Sequence, residues 1–290
     1  MSSAHNYPHK PSWLKVRIPS GENYKRVRAL INHNSLHTVC DRALCPNLGE
    51  CWGRKTATFM LLGDTCTRNC SFCGVSKGKP GLIDRGEPER VAEAARQLGL
   101  RYVVITSVTR DDLPDGGAEI FSEAIRCLRE KIPNCLIEVL IPDFKGSLKA
   151  LERVLEAEPH VLNHNLETVP RLYKKMRPEA DYNRSLLVLK ESRRAEVITK
   201  SGLILGLGEE ICEVIEVMYD LKNAGCQILT MGQYLQPSMK NLPVERFLSP
   251  SEFEMLKSEG GKIGFQHVEA GPLVRSSFHA EEQVSSLLTH

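Results

Sequence analysis

Short apolar runs alternate with amphipathic stretches between residues 57 and 232. The runs, such as residues 102–106, are rich in β-branched residues and predict buried strands. The amphipathic stretches predict helices, for example one that Pro88 opens, that buries Val91 and that Gly99 ends. The predicted strands are residues 57–62, 102–106, 136–141, 161–166, 203–207 and 227–231. The predicted helices are residues 88–98, 120–128, 148–155, 183–192 and 211–224.

Six strand–helix units in succession, each of about thirty residues, predict a parallel sheet with helical crossovers. A barrel of eight such units would normally need a longer chain. We therefore predict an α/β fold, an incomplete (β/α)6 barrel of the TIM type, over residues 56–240. Residues 1–55 and 241–290 are predicted to be N- and C-terminal extensions. Functional groups in parallel α/β folds lie at the carboxyl ends of the strands.

The composition is that of an ordinary globular protein, with 41% hydrophobic and 26% charged residues among 290. No apolar run approaches the ~20 residues of a membrane helix, and the N-terminus lacks the apolar core of a secretion signal. We therefore expect a cytoplasmic protein without membrane contact.

Residues 1–55 hold nine Lys and Arg against three acids, in a chain with a net charge of only +2. Such a basic arm can attract an acidic partner, although a solvated charged surface explains it equally well. Aromatic residues interleaved with the basic ones, as binding of single-stranded nucleic acid needs, are absent. We predict no nucleic-acid partner.

Three cysteines, Cys66, Cys70 and Cys73, follow the first predicted strand in a C-x3-C-x2-C frame. A structural zinc site normally has four ligands, and a disulfide would leave one thiol over. Three thiolates without an evident fourth ligand suit a cubic iron–sulfur cluster with one free iron. Zinc and a disulfide remain open as alternatives at this point.

A second triplet, Cys40, Cys45 and Cys51, lies upstream in a C-x4-C-x5-C frame. Two compact triplets indicate metal binding in a reducing compartment. The other cysteines are scattered, and we expect them to be small buried hydrophobic residues. They are Cys127, Cys135, Cys212 and Cys226.

Residues 65–75, with Phe72 directly before the third cysteine, resemble the motif of the radical S-adenosylmethionine enzymes. The upstream triplet and the segment Arg275-Ser276-Ser277 resemble one family among them, the lipoyl synthases. This resemblance also covers residues 109–117 and extends from about Pro11 to Ala280. One departure is Phe278, which stands where the family usually has a tyrosine.

The resemblance implies two 4Fe-4S clusters and S-adenosylmethionine as cofactors. The cluster on Cys66, Cys70 and Cys73 would bind the amino and carboxylate groups of S-adenosylmethionine through its free iron. The auxiliary cluster would be held by the upstream triplet and Ser277, would donate sulfur, and would have Arg275 beside it as a second catalytic residue. On sequence alone, Arg-Ser-Ser is otherwise typical of a surface turn.

Position within the superfamily fold implies further contacts to S-adenosylmethionine at the strand ends. An ordinary loop or capping role is the alternative for each, since polar residues cluster at strand ends in any case. The residues concerned are Phe72, Thr106, Ser107, Asn165, Glu167, Leu235 and Gln236.

The implied reaction inserts two sulfur atoms, at C6 and C8, into an octanoyl chain carried on a lysine. The carrier would be the lipoyl domain of a 2-oxoacid dehydrogenase E2 or the glycine cleavage H protein, and the electron donor a ferredoxin or flavodoxin. Both clusters must face one cavity, so we expect the two terminal segments to meet over the barrel mouth. Alternatives are a binding module with structural clusters, a biotin-synthase-like sulfur transferase and a methylthiotransferase.

Overall fold

The computed structural model describes residues 10–16, 18–285 and 287. Its first helices and strands are α1 (Glu22–His33), β1 (His37–Thr38), α2 (Val39–Arg42), α3 (Leu48–Gly53), β2 (Thr58–Leu61), β3 (Thr65–Cys66) and β4 (Ser76–Lys77). The central elements are α4 (Glu87–Leu98), β5 (Tyr102–Ser107), α5 (Ala118–Lys131), β6 (Leu136–Leu140), a 3₁₀ turn (Phe144–Gly146), α6 (Leu148–Leu155) and β7 (Val161–Asn163). The last elements are α7 (Pro170–Met176), α8 (Tyr182–Arg194), β8 (Ile198–Leu205), α9 (Ile211–Asn223), β9 (Ile228–Gln233), α10 (Pro250–Ile263), β10 (His267–Gly271) and α11 (Ala280–Ser285).

The main sheet has the strand order β1-β2-β5-β6-β7-β8-β9-β10. All its neighbouring pairs are parallel except β1 with β2. The six predicted strands correspond to β2 and β5 to β9, which confirms the incomplete barrel. Two further strands extend the sheet, β1 at one edge and β10 at the other. Because β10 pairs with β9, the sheet continues past the proposed boundary at residue 240.

Local signals in the sequence explain where the helices begin and end. Helix α4 carries Pro88 in its first turn and ends at Gly99, whose φ of 70° is favourable for glycine. Helix α10 begins with a capping box in which Ser249 and Glu252 each satisfy the other's backbone N–H. These signals fix the C-terminal end of α4 and the first turn of α10.

The strands are not apolar throughout, because a buried polar network crosses the barrel interior. The Lys200 ammonium lies 2.9 Å from the Glu138 carboxylate, and both side chains are fully buried. Tyr102 and Asn163 also donate hydrogen bonds to this carboxylate, at 2.6 and 3.0 Å. The network joins β5, β6, β7 and β8, and its satisfied donors offset the cost of burying two charges.

Several elements differ from the prediction. The strand expected at residues 161–166 ends at Asn163, and the one expected at 203–207 begins as early as Ile198. Helices α7 and α10 were not predicted. Among the scattered cysteines, Cys135 and Cys226 are buried as expected and Cys127 is half-buried, but the expectation is wrong for Cys212, which is exposed because it lies in the first turn of α9.

The chain after β10 turns back along the barrel, and we call residues 272–279 the return segment. Its Ser277 contacts Thr58, the first residue of β2. Helix α11 then packs Ala280 and Val284 against Tyr102 and Ile228, which begin their strands. The return segment therefore spans the barrel from the carboxyl ends of the strands to their amino ends. Within the described part of the chain, no helix is long and apolar enough to cross a membrane.

Candidate active site with two cysteine triplets

The first triplet lies on residues 65–75, which we call the cysteine loop, directly after β2. Burial raises the pKa of the Cys73 thiol to about 12, and the neighbouring Cys70 and Cys66 thiols add to this increase. Burial likewise raises the pKa of Cys70, against the opposing charge of Arg177. The three thiols therefore lie close enough to influence one another electrostatically.

Arg68 anchors the cysteine loop to the barrel through buried ion pairs. Its guanidinium donates to Asp111 at 2.7 and 3.0 Å and to Asp143 at 2.5 Å. Asp143 also accepts a hydrogen bond from Arg184 at 2.7 Å. A further anchor is Thr67, whose N–H and hydroxyl both donate to the Thr109 carbonyl at 3.0 Å. The motif at residues 109–117 thus helps to hold the loop that carries the cysteines.

Contacts from later elements hold the other half of the cysteine loop. The Ser71 hydroxyl donates to the Lys175 carbonyl in α7 at 2.9 Å. The Asn241 amide donates to the carbonyls of Ser71 and Cys73, at 3.2 and 3.0 Å. The loop is therefore clamped between the strand ends on one side and the segment after β9 on the other.

The second triplet, which we call the auxiliary triplet, comes from α2, α3 and the turn between them. Burial raises the pKa of Cys40 to about 11, and the Cys45 thiol adds to the shift. Burial raises the pKa of Cys51 to about 12, with contributions from Cys40 and Cys45. These three thiols also form one electrostatically coupled group.

Ser277 joins the auxiliary triplet from the other end of the chain. Its hydroxyl oxygen accepts a hydrogen bond from the Thr58 hydroxyl at 2.9 Å. Thr58 also lies beside Cys40, where its polar groups lower the pKa of the thiol against the larger, opposite effect of burial. Thr58 therefore lies beside both Cys40 and Ser277.

Polar contacts hold the N-terminal segment and the return segment together. The Asn47 amide, buried between the auxiliary cysteines, donates to the Leu273 carbonyl at 2.6 Å. Arg54 donates to Glu282 at 2.7 Å, and the His279 ring lies 3.0 Å from the Glu50 carboxylate. The two terminal segments therefore contact each other beside the barrel, along the path of the return segment.

A cavity of about 240 Å³ lies between these segments and the strand ends. It brings together all three auxiliary cysteines and one cysteine of the loop. Its predicted site residues are Cys40, Cys45, Cys51, Cys73, Phe72, Asn165, Glu167, Leu235, Arg275 and Ser277. The predicted residues that do not line it are Cys66, Cys70, Thr106, Ser107 and Gln236.

Several polar atoms in and beside this cavity have no partner in the protein. The Asn165 amide donates to Glu167 at 3.1 Å, but its carbonyl oxygen is buried and unpaired. The Ser107 hydroxyl and the Arg177 Nε are also buried without a partner. Unpaired buried groups are rare, so these atoms mark a place where a polar ligand would be stabilised.

Sequence reasoning missed Arg177, a buried residue that donates to the carbonyls of Asn165 and Leu166 at 2.9 and 3.1 Å. Burial raises the pKa of the nearby Glu167 carboxyl, and the positive charges of Arg177 and Arg275 oppose that shift. No motif in the sequence marks Arg177 as a site residue. It lies between the end of α7 and Pro178, where the sequence predicts an ordinary loop.

The donor sets fit iron–sulfur clusters. Among the residues that the structure describes, no three Cys, His, Asp or Glu side chains form a group that could hold a single metal ion. An iron–sulfur cluster does not need three ligands that converge on one ion, because each thiolate binds a different iron of the cluster. The thiols of each triplet are near enough to affect one another's charge, and burial raises the pKa of Cys40, Cys51 and Cys73, so that binding to iron would be what stabilises their thiolate forms.

Several solved structures share this fold. Methylornithine synthase aligns with a TM-score of 0.56 over 80% of this chain and 76% of its own, at 14% identity. SuiB from Streptococcus suis, bound to S-adenosylmethionine, aligns with a TM-score of 0.58 over 88% of this chain and 58% of its own, at 10% identity. At such identities the comparison shows the shared fold alone.

Comparison with known sequences shows the family as well as the fold. The model of the radical SAM superfamily matches residues 60–221, and that of the N-terminal domain of lipoyl synthase matches residues 2–45. The lipoyl synthase of Caldanaerobacter subterraneus is 55% identical over 95% of this chain and 97% of its own length. That of Rubrobacter xylanophilus is 52% identical over 94% of this chain and 86% of its own. The chain therefore belongs to the lipoyl synthase family of the radical SAM superfamily.

Proposed function

We propose that Cys66, Cys70 and Cys73 hold the cluster that binds S-adenosylmethionine, and that the auxiliary triplet with Ser277 holds the second cluster. As a member of its family, the chain is a radical SAM sulfurtransferase that acts on lipoyl carrier domains. When bound, the clusters and S-adenosylmethionine supply a 5′-deoxyadenosyl radical and the sulfur inserted at C6 and C8 of an octanoyl chain.

The observation that carries this proposal is the single cavity shared by Cys73, the auxiliary triplet and Ser277. Apolar side chains, among them Val39, Leu44 and Leu203, complete its lining. Such a lining suits an octanoyl chain and keeps water away from a reactive radical. One cavity is therefore bordered by cysteines of both triplets and by apolar side chains that suit the substrate chain.

Ser277 and Arg275 are proposed to act at the auxiliary cluster. The hydrogen bond from Thr58 to the Ser277 oxygen supports negative charge on that oxygen when it binds iron. Burial lowers the pKa of the Arg275 guanidinium, while Cys45 and Glu167 oppose this. The Arg275 guanidinium thus lies where it offsets the negative charge of the thiolates. The Ser277 hydroxyl, as a ligand of iron, would be easier to displace than a thiolate.

The proposed contacts to S-adenosylmethionine are supported to different degrees. Phe72, Asn165, Glu167 and Leu235 line the cavity. The remaining three lie at the neighbouring strand ends or just beyond them. The Thr106 hydroxyl donates to the Leu140 carbonyl, the Gln236 amide donates to the Asn241 carbonyl, and the Ser107 hydroxyl is unpaired.

We propose the lipoyl domain of a 2-oxoacid dehydrogenase E2 or the glycine cleavage H protein as the carrier, and a ferredoxin or flavodoxin as the electron donor. A cytoplasmic location is part of the same proposal. All ten cysteines are free, and thiols stay free in a reducing compartment.

Anaerobic reconstitution tests the assignment of the ligands. The protein should bind about eight irons per chain, as two four-iron clusters require. With dithionite, S-adenosylmethionine and an octanoyl-lysyl peptide, it should form 5′-deoxyadenosine and a lipoyl product.

Cys51→Ala should halve the iron content and abolish the lipoyl product, while 5′-deoxyadenosine still forms. Cys212→Ala, at an exposed cysteine, is the matched control and should retain both clusters and full activity. Four irons in the unmodified protein, or turnover without sulfur insertion, would contradict the proposal.

A further inference from the structure

Exposed lysines lie around the cysteine loop. None of them lines the central cavity. They are Lys77, Lys79, Lys145, Lys174, Lys175 and Lys240, and we call them the loop lysines.

Two of the loop lysines contact the loop directly, and a third contacts a residue that anchors it. The Lys77 ammonium donates to the Cys70 carbonyl at 2.7 Å. The Lys145 ammonium donates at 3.0 Å to the carbonyl of Asp111, the residue that pairs with Arg68. The Lys175 carbonyl accepts the hydrogen bond of the Ser71 hydroxyl, which places this end of α7 beside the loop.

The other three are chain neighbours of residues that contact the loop. Lys79 follows Gly78, whose N–H donates to the Cys66 carbonyl at 3.0 Å. Lys240 precedes Asn241, which donates to the carbonyls of Ser71 and Cys73. Lys174 precedes Lys175 in α7.

Few carboxylates balance this charge. Glu179 accepts from the Asn69 N–H at 3.3 Å, and Glu245 lies 3.9 Å from the Lys175 ammonium. The Asp111, Asp112 and Asp143 carboxylates are already paired with arginines, so they are left out of this balance. Six lysines against two carboxylates make this face strongly basic in a chain whose net charge is only +2.

An apolar side chain also lies on this face. Met239 is 74% exposed and directly precedes Lys240. An exposed methionine bordered by charges is the kind of contact found at the centre of protein interfaces with a polar rim.

We propose that the loop lysines and Met239 form the docking surface for an acidic one-electron donor protein. This inference rests on the proposed function, because only a loop that holds a cluster needs an electron. One electron would pass from the reduced donor to the cluster. The donor is thereby oxidised by one electron, and the cluster is reduced by one electron. The position favours a donor over the carrier, since the carrier must reach the central cavity and none of the loop lysines lines it.

Charge reversal at two positions tests the surface. Lys175→Glu/Lys240→Glu changes two loop lysines that are neither ligands nor cavity residues. The matched control is Lys190→Glu, an exposed lysine on α8. The probe is a reduced acidic ferredoxin mixed anaerobically with the reconstituted protein in a stopped-flow instrument at 50 to 300 mM salt.

We expect the double variant to slow reduction of the cluster by ferredoxin about tenfold at low salt, because steering by complementary charge raises association rates by ~10-fold or more. The difference should shrink as salt screens the charges. Titration calorimetry with oxidised ferredoxin should show a weaker complex for the double variant. Dithionite, which needs no docking surface, should reduce both variants at the unmodified rate.

The outcomes separate this inference from the proposed function. A protein that dithionite cannot reduce lacks the cluster, and the proposed function fails. Normal reduction by dithionite together with an unchanged ferredoxin rate and affinity would overturn the docking surface. A raised KM for the octanoylated carrier, without an effect on ferredoxin, would assign this face to the carrier and overturn it as well.

Discussion

At the scale of single residues, the cysteines of the loop depend on buried charges that are distant in sequence. The Arg68 and Asp143 side chains are 3% and 0% exposed and lie 75 positions apart. Asp143 also pairs with Arg184, so one carboxylate serves two guanidinium groups. Spacing in the sequence predicted the cysteines because they form a local motif. It did not predict Arg68 and Asp143, because only the folded barrel brings them together.

Asp143→Ala should therefore destabilise the protein by about 3 kcal/mol, since it leaves the buried Arg68 with Asp111 as its remaining acidic partner and removes the carboxylate that pairs with Arg184. Urea unfolding measures this change. The loop should also bind less iron, so that iron analysis gives about four irons per chain instead of about eight.

Glu93→Ala is the control for the loss of a carboxylate. It breaks an ion pair with Arg96 on the solvated side of α4 and should leave stability and iron content nearly unchanged. Equal effects of the two substitutions would show that the buried ion pairs do not hold the loop.

At the scale of the elements, hydrophobic pattern predicted the strands and helices where burial and apolarity coincide. It placed the start of β8 too late, because Thr199, Lys200 and Ser201 are polar yet buried. Their burial depends on partners in other strands, such as Glu138 for Lys200. It missed α10 because the sequence 258–262 is rich in Gly and charge, although Gly260 packs closely against Val268.

The return segment depends on a glycine in β9. A Cβ at position 232 would lie 2.0 Å from the Val274 carbonyl oxygen and 3.0 Å from the Arg275 guanidinium. Gly232→Ala should therefore displace the return segment, destabilise the protein by about 1–3 kcal/mol and weaken iron binding at the auxiliary triplet. Thermal unfolding and iron analysis after reconstitution measure the two effects.

Gly261→Ala is the matched control. This glycine lies in α10 and no atom is within 4 Å of its added Cβ, so the change should stabilise the helix by about 0.5–1 kcal/mol. Retention of the auxiliary iron in Gly232→Ala would show that the return segment tolerates displacement.

At the scale of the whole molecule, stability should depend on a histidine in the barrel. Burial lowers the pKa of His164 from 6.5 to about 4, and the charge of Arg177 adds to this shift. The folded state therefore binds fewer protons than the unfolded state between these values. Stability is fully present above pH 6.5 and is lost as the pH falls towards 4, by up to about 1.4 kcal/mol per pH unit.

His164→Asn should flatten this dependence, because asparagine does not titrate and its amide can replace the hydrogen bond to the Ile141 carbonyl. Urea unfolding at pH 7.0, 5.5 and 4.5 measures the slope. His33→Asn, at an exposed histidine of α1, should keep the slope of the unmodified protein. The same steep slope in His164→Asn would place the titrating group elsewhere.

The separation of Thr58 and Ser277 by 219 positions has a consequence for biosynthesis. The three cysteines of the loop lie within eight residues of one another, so they are all present early in translation. The auxiliary site needs residues from both ends of the chain, and folding during synthesis proceeds from the N-terminus. The first set of thiols is thus complete before Ser277 has been synthesised, whereas the auxiliary site can be completed only after it. We therefore expect the two sites to be completed in the order in which their proposed ligands occur along the chain.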